Sequence, residues 1–250
     1  LRVEKQENGA LWVVEFGESK GNIIDIKLID ALTTLFEEAS ETRGLKVVII
    51  QGSGRHFSFG ASVAEHLPEA VGEMLPRFHR LFRVMSESAV ITIAVVRGQC
   101  LGGGLELAAF CHRVFCAPDA KLGQPEIALG VFPPVASVIL HERVGRPHAE
   151  ELCLTGRVLG AEEALTIGLV DVIAEHPEAA ALGFAQALLP HSGSSLRFAV
   201  RAVRHRMEKH IEEDLPALER LYLEELMHTA DANEGIQAFM EKRRPEWRNE

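Results

Sequence analysis

No two of the four cysteines stand at CxxC spacing: Cys100, Cys111, Cys116 and Cys153 are isolated in apolar or helical surroundings. That spacing argues against a metal site and reads as reduced, buried small hydrophobes of a cytosolic protein. Other signatures are missing too. The 11 histidines include no HExxH, and no Walker lysine follows a glycine loop. Gly102 and Gly104 have G-x-G spacing, but Leu107 stands where a dinucleotide fingerprint needs its third glycine. His56, not glycine, lies two residues before Ser58, so there is no nucleophile elbow.

Positive charge is scarce. Lys and Arg number 26 against 36 Asp and Glu, for a net charge of −10, which disfavours nucleic acid or an anionic membrane as partner. Long apolar runs are lacking as well: the strongest, Ala89–Val96, is too short to span a bilayer. LRVEKQENGALWVVEFG at the start holds no stretch that could act as a signal peptide. These absences point to a soluble, cytoplasmic chain. Its 250 residues are 47% hydrophobic, enough for one large domain or a domain with a modest appendage.

Extended and helical signals alternate through the first two thirds. Leu11–Gly17 is β-branched and aromatic, while Leu28–Glu41 aligns Leu28, Leu32, Leu35, Phe36 and Ala39 on one helical face. GLKVVIIQGSG reads as a buried strand and EMLPRFHRLFRVMSES as a helix. AVITIAVVRG reads as a second buried strand, followed by LELAAFCHRV as a helix. Strands alternating with helices predict an α/β fold. From about residue 175 the pattern is helical throughout, which divides the chain into a core over 1–174 and a helical region over 175–250.

Three segments carry the chemistry: GSGRHFSFGASVAEH, GQCLGGGLELA and KLGQPEIALGVFPP. The first two each follow a buried strand and feed a helix. That layout places them at strand carboxyl ends, where backbone N–H groups can converge on a ligand. Taken singly, such glycines are also ordinary turn punctuation. The acids are more telling. Glu106 lies between Leu105 and Leu107 in the first helical turn, and Glu126 precedes IALGVF. A helix-start Glu ordinarily complements the dipole, but two charges in apolar settings, each on a strand-end loop, suggest an acid/base pair in one cleft.

GQCLGGGLELA followed by KLGQPEIALG resembles the enoyl-CoA hydratase/isomerase (crotonase) superfamily. Its two glutamates stand 20 positions apart, GSGRHFSFGAS matches the family's upstream loop, and AFMEKRRPEW matches its C-terminal end. The resemblance implies a spiral of ββα units with C-terminal helices that assemble trimers, commonly paired into hexamers. It also implies an acyl-CoA thioester as substrate and no metal or separate cofactor. By carry-over the oxyanion hole is formed by the amides of Ala61 and Gly103, with Glu106 activating water and Glu126 supplying the proton. CoA would lie along Ser58, Phe59, Gly60 and Ser62, beside Gly102. Lys20, Phe239 and Lys242 match outer CoA-contacting positions; an ordinary surface lysine or core phenylalanine is the competing reading there.

Two departures bear on the substrate. Ser62 stands where many relatives have Asp, and VFPPVASV replaces a glycine-rich segment, so Phe132 and Pro133 belong to a stiffer, bulkier acyl wall. SFGASVAEHLP and QPEIALGVFPPVAS resemble the branch that hydrates cyclohexa-1,5-diene-1-carbonyl-CoA to 6-hydroxycyclohex-1-ene-1-carbonyl-CoA. The alternatives are a straight-chain 2-enoyl-CoA hydratase, an isomerase, or an acyl-CoA-binding relative without catalysis.

Overall fold

The structure is a computed structural model that describes residues 1–17 and 21–250. Strands β1 (Arg2–Gln6), β2 (Leu11–Phe16), β3 (Val47–Gly52), β4 (Ile91–Val96), β6 (Arg113–Cys116) and β9 (Val172–Ile173) form one sheet. Strands β5 (Gln99–Leu101), β7 (Lys121–Gly123) and β8 (Val158–Gly160) form a second. β1 and β2 pair antiparallel; from β2 onward the large sheet is parallel. Its central strands, VVIIQG and ITIAVV, are β-branched runs buried on both faces, as parallel strands require.

The two sheets explain the ββα repeat. After β4 the chain makes β5 in the small sheet and then enters α3 (Gly103–Phe110). After β6 it makes β7 and enters the short helical turn Pro125–Leu129. Ser58 bridges Cys100 in parallel, so the loop after β3 follows the same course before α2 (Pro68–Glu87). Helix α1 (Ile26–Glu41) is capped by Asp25, whose carboxylate accepts from Leu28 N at 2.8 Å.

Helix α2 starts five residues before the sequence pattern suggests, because Pro68 is well suited to a first helical position. LELAAFCHRV is not helical throughout: α3 stops at Phe110, and Arg113–Cys116 pairs with β4 from Ile93 to Val96. Continuous apolarity cannot separate a buried helix from a buried strand, so the boundary was invisible. The polar β1 and three-residue β5 also escaped the sequence reading.

One face of the large sheet packs on α1–α3 and on α4 (Pro134–Val144), α5 (Arg146–Thr155) and α6 (Ala161–Thr166). The other is covered by α7 (Pro177–Leu188), where Ala181 and Ala185 meet Leu11, Val47, Ile49 and Ile93. Helices α8 (Gly193–Glu213) and α9 (Leu215–Arg220) lie against α2 and α4, and α10 (Ala230–Met240) lies against Pro125–Leu129. A third apolar cluster joins Val71 and Leu75 of α2 to Val131, Tyr222, Met227 and Ile236. The C-terminal helices thereby close over the loops that carry the candidate chemistry. No helix among the described residues is long and apolar enough to cross a membrane.

Candidate active site

Three strand-end segments meet in one cleft enclosing about 610 Å³ out to its mouth. Phe59, Gly60 and Ala61 come from the loop after β3, Gly102, Gly103 and Glu106 from the start of α3, and Glu126 from the turn after β7. Phe132, Pro133 and Pro134 form a wall, and Met74, Phe78, Val131 and Tyr222 complete an apolar lining.

The glycines bring two backbones together. A Cβ on Gly103 would stand 3.2 Å from Ala61 N and 3.1 Å from Phe78 Cζ, so a side chain would occupy the gap between the two amides. Neighbouring amides are engaged: Gly60 N donates to Ser58 Oγ, Ser62 N to Ile24 O, and Gly102 N to Gly123 O. Among the described residues, those of Ala61 and Gly103 donate to no protein acceptor. Gly103 is the first residue of α3, so its N–H lies at the positive end of the helix. Two such donors suit an oxyanion.

The acids face this gap. Glu106 is only 3% exposed, and its Oε1 accepts from Ala136 N at 2.8 Å. Burial raises its pKa to about 7, against the opposing effect of backbone N–H groups of Ala136 and Val135. Glu126 is half-buried, with Oε2 enclosed and, among the described residues, unpartnered. Burial first, and the Glu106 charge second, push its pKa well above the usual carboxylate range. The pair therefore favours one negative charge, with the anion on Glu106 and the proton on Glu126.

Of the residues singled out from sequence, Phe59, Gly60, Ala61, Gly102, Gly103, Glu106, Glu126, Phe132 and Pro133 line the cleft. Ser58 does not. It is fully buried, donates from Oγ to Asn22 O, and packs where a Cβ on Gly104 would stand 2.6 Å from its own Cβ. Its reading as a CoA contact is corrected: it ties the loop down from behind. Ser62 lies outside the lining, its carbonyl accepting from His66 Nδ1 at 2.8 Å. Phe239 and Lys242 are exposed at the end of α10, away from the cleft. Lys20 lies outside the described residues. Among those residues no group of three or more His, Cys, Asp or Glu could hold a metal ion.

Sequence reasoning missed Met74 and Phe78, which α2 brings in, Tyr222, which the C-terminal region brings in from far along the chain, and His66, on the short helical turn Val63–His66 just after the Ala61 loop. Burial lowers the pKa of His66, against the raising effect of its bond to Ser62 O, so it enters as a neutral ring. Met74, Phe78 and Tyr222 carry no local motif, and His66 closes the segment GSGRHFSFGASVAEH without standing out in it.

Paired acids beside two free amides are suited to moving protons next to a carbonyl whose oxygen is held, as an enzyme acting through an enolate requires. A family model for enoyl-CoA hydratase/isomerase matches residues 6–250, and the chain belongs to that family. It is 48% identical to the cyclohexa-1,5-dienecarbonyl-CoA hydratase of Thauera aromatica over 250 residues, covering 100% of this chain and 97% of that one. Among solved structures it resembles an enoyl-CoA hydratase/isomerase from Pseudoalteromonas atlantica, with a TM-score of 0.88 at 24% identity over 98% of both chains. It also resembles an enoyl-CoA hydratase from Mycobacterium avium subsp. paratuberculosis, with a TM-score of 0.86 at 25% identity, covering 99% of this chain and 98% of that one.

Proposed function

We propose that this chain is an acyl-CoA hydratase that converts cyclohexa-1,5-diene-1-carbonyl-CoA to 6-hydroxycyclohex-1-ene-1-carbonyl-CoA. The observation that carries the reading is the Glu106–Glu126 pair facing the Ala61 and Gly103 amides in an apolar cleft. The whole-length likeness to the Thauera protein supports the choice of a cyclic acyl group. Phe132, Pro133 and Pro134 give the cleft a wall of three rings, a stiff surface against which a flat acyl ring can lie.

The thioester oxygen accepts from Ala61 N–H and Gly103 N–H. Glu106, as carboxylate, takes a proton from water while the water oxygen bonds to the β-carbon. The electron pair of that double bond moves into a dienolate whose charge rests on the thioester oxygen and on the far carbon of the diene. Glu126, as carboxylic acid, gives that carbon its proton. The remaining double bond ends beside the carbonyl, giving the hydroxycyclohexene product. The pair starts and ends with one proton and one charge, and transfer between the two carboxyls resets it. Losing either amide donor would raise the barrier by about 3 kcal/mol.

CoA forms part of the substrate, and no further cofactor is invoked. Lys20, Phe239 and Lys242 are assigned to the outer CoA moiety, the latter two toward a neighbouring subunit. Phe198 and Val203 on α8 are 68% and 79% exposed, which supports self-association through the helical region as a trimer or hexamer. Light scattering measures that stoichiometry. The cytoplasm is the proposed compartment.

The deciding experiment offers cyclohexa-1,5-diene-1-carbonyl-CoA in 18-oxygen water, with crotonyl-CoA in parallel, and analyses products by mass spectrometry. A labelled hydroxycyclohexene thioester with crotonyl-CoA largely untouched is expected. Preferential hydration of crotonyl-CoA would overturn the ring substrate, and no label in either product would overturn hydration itself.

A further inference from the structure

Tyr222 is the one tyrosine of the chain, and it reaches the cleft from an unusual place. It sits on the π-type turn Leu221–Glu225, a backbone form frequent at functional sites. The residue is 1% exposed, its ring packed edge-on against Phe132 at 5.3 Å between centroids and 6.5 Å from the ring of His66. Its hydroxyl is buried and, among the described residues, has no hydrogen-bond partner. Burial chiefly, then the charges of Glu126 and Glu106, push its pKa upward, so it remains a neutral phenol near both acids. Leaving such a group unsatisfied is costly, and buried phenols ordinarily find a partner.

The chemistry leaves few candidates. In the reading above the thioester oxygen is taken by Ala61 and Gly103, and the acyl ring of the unsaturated substrate carries no other polar atom. The polar side chains of the lining are His66, whose Nδ1 is engaged by Ser62 O, and the two acids that handle the water. We propose that the Tyr222 hydroxyl is a binding subsite for the oxygen that is added. It hydrogen-bonds the attacking water and, after addition, the hydroxyl of the product. This rests on the hydration reading above. Tyr222 makes and breaks no covalent bond; it fixes where the water oxygen stands relative to Glu106 and the β-carbon. It also gives the enzyme a preference for hydroxylated over unhydroxylated ring thioesters, because a site built around a hydroxyl discriminates against an analogue that lacks it.

The test measures equilibrium binding of 6-hydroxycyclohex-1-ene-1-carbonyl-CoA and of cyclohex-1-ene-1-carbonyl-CoA to the wild type and to Tyr222→Phe. Hydration turnover of the cyclic dienoyl-CoA is measured on the same preparations. The wild type should prefer the hydroxylated thioester by roughly tenfold or more, and Tyr222→Phe should bring the two near parity without weakening the unhydroxylated one. The variant's kcat should fall by a similar factor while KM stays within about twofold. Should Tyr222→Phe fold poorly, ultraviolet resonance Raman of the single wild-type tyrosine takes its place: its hydrogen-bond-sensitive doublet should shift with the hydroxylated ligand only. An unchanged preference, equal weakening of both ligands, or a tyrosine signal blind to the hydroxyl overturns the proposal. If wild-type hydration is intact in that case, the subsite alone fails; if the wild type hydrates neither cyclic dienoyl-CoA nor crotonyl-CoA, the functional reading fails and takes the subsite with it.

Discussion

The Glu126 carboxylate fills the space that a side chain at residue 102 would need: a Cβ on Gly102 would stand 2.7 Å from Glu126 Oε1. Gly102 also has φ +52° and ψ −129°, a conformation that L side chains resist. The turn that aims the Gly103 amide therefore also sets where the second acid rests. Gly102→Ala should lower kcat by roughly 100-fold and stability by about 1–3 kcal/mol. The checks are turnover per folded enzyme and a thermal melt. A variant that loses only stability would separate the turn from the chemistry.

Removing either acid leaves the cleft its shape and takes away one half of the proton exchange. Glu106→Gln and Glu126→Gln should each reduce kcat by roughly 10²–10⁴-fold. Affinity for a saturated acyl-CoA, which needs only the amides and the apolar walls, should stay within about twofold. Stopped-flow hydration and calorimetric binding report the two quantities separately. Loss of binding in step with rate would mean that the carboxyls hold the substrate rather than act on it.

The pH profile follows from the same pair. Burial, against the Ala136 and Val135 amides, places Glu106 at about 7, and the role proposed for it, taking a proton from water, requires the ionised form. Burial and then the Glu106 charge hold Glu126 protonated well above the ordinary range, and the acid role proposed for it requires that proton. The rate should rise with pH through about 7 and fall again in the alkaline range. Glu126→Gln should abolish the alkaline fall in its residual activity. A wild-type profile flat from pH 5 to 9 would contradict the pairing.

Stability should move the opposite way. Glu106 has its ordinary value of 4.5 when unfolded and about 7 when folded, so the native state holds its proton more tightly. Between these values the unfolded chain ionises while the native one does not, and Glu106 makes stability fall as pH rises across that window. Above about 7 the penalty is complete, at most about 3 kcal/mol. Glu106→Gln, whose Oε1 can still accept from Ala136 N, should be more stable than the wild type at pH 8 and equal to it at pH 4. Urea melts at both pH values decide it.

Which parts of this site could be read from the chain depended on how locally they are encoded. Ala61, Gly103, Glu106 and Glu126 each stand beside a strand-end glycine or in an apolar run, where a charge or a missing side chain is conspicuous. Met74 and Phe78 are brought in by α2 and Tyr222 by a turn about 100 residues beyond Glu126, and helical periodicity marks them only as buried. Ser58 misled for the converse reason. It lies inside the conspicuous loop, but its Oγ turns inward to Asn22 O. Loop membership says nothing about which way a short polar side chain points. The parallel sheet was legible in the runs of β3 and β4, whereas β5 and β9 exist through their pairings and are too short to have a pattern of their own.

The acyl wall offers the sharpest test of substrate. Phe132 and Pro133 line the cleft, and Phe132 also braces Tyr222 edge-on. Replacing Pro133 by Gly frees that backbone, and replacing Phe132 by Ala removes the flat surface a ring would lie against. Neither substitution touches an acid or an oxyanion amide, so hydration chemistry should persist in both. What should change is the ratio of kcat/KM for cyclic dienoyl-CoA to that for crotonyl-CoA, falling by roughly 10–100-fold, the range that apolar contacts can supply. A fall confined to the cyclic substrate makes this wall the specificity element. Equal losses on both substrates would show that it only closes the cleft, and would return the choice of acyl group to the lining of α2.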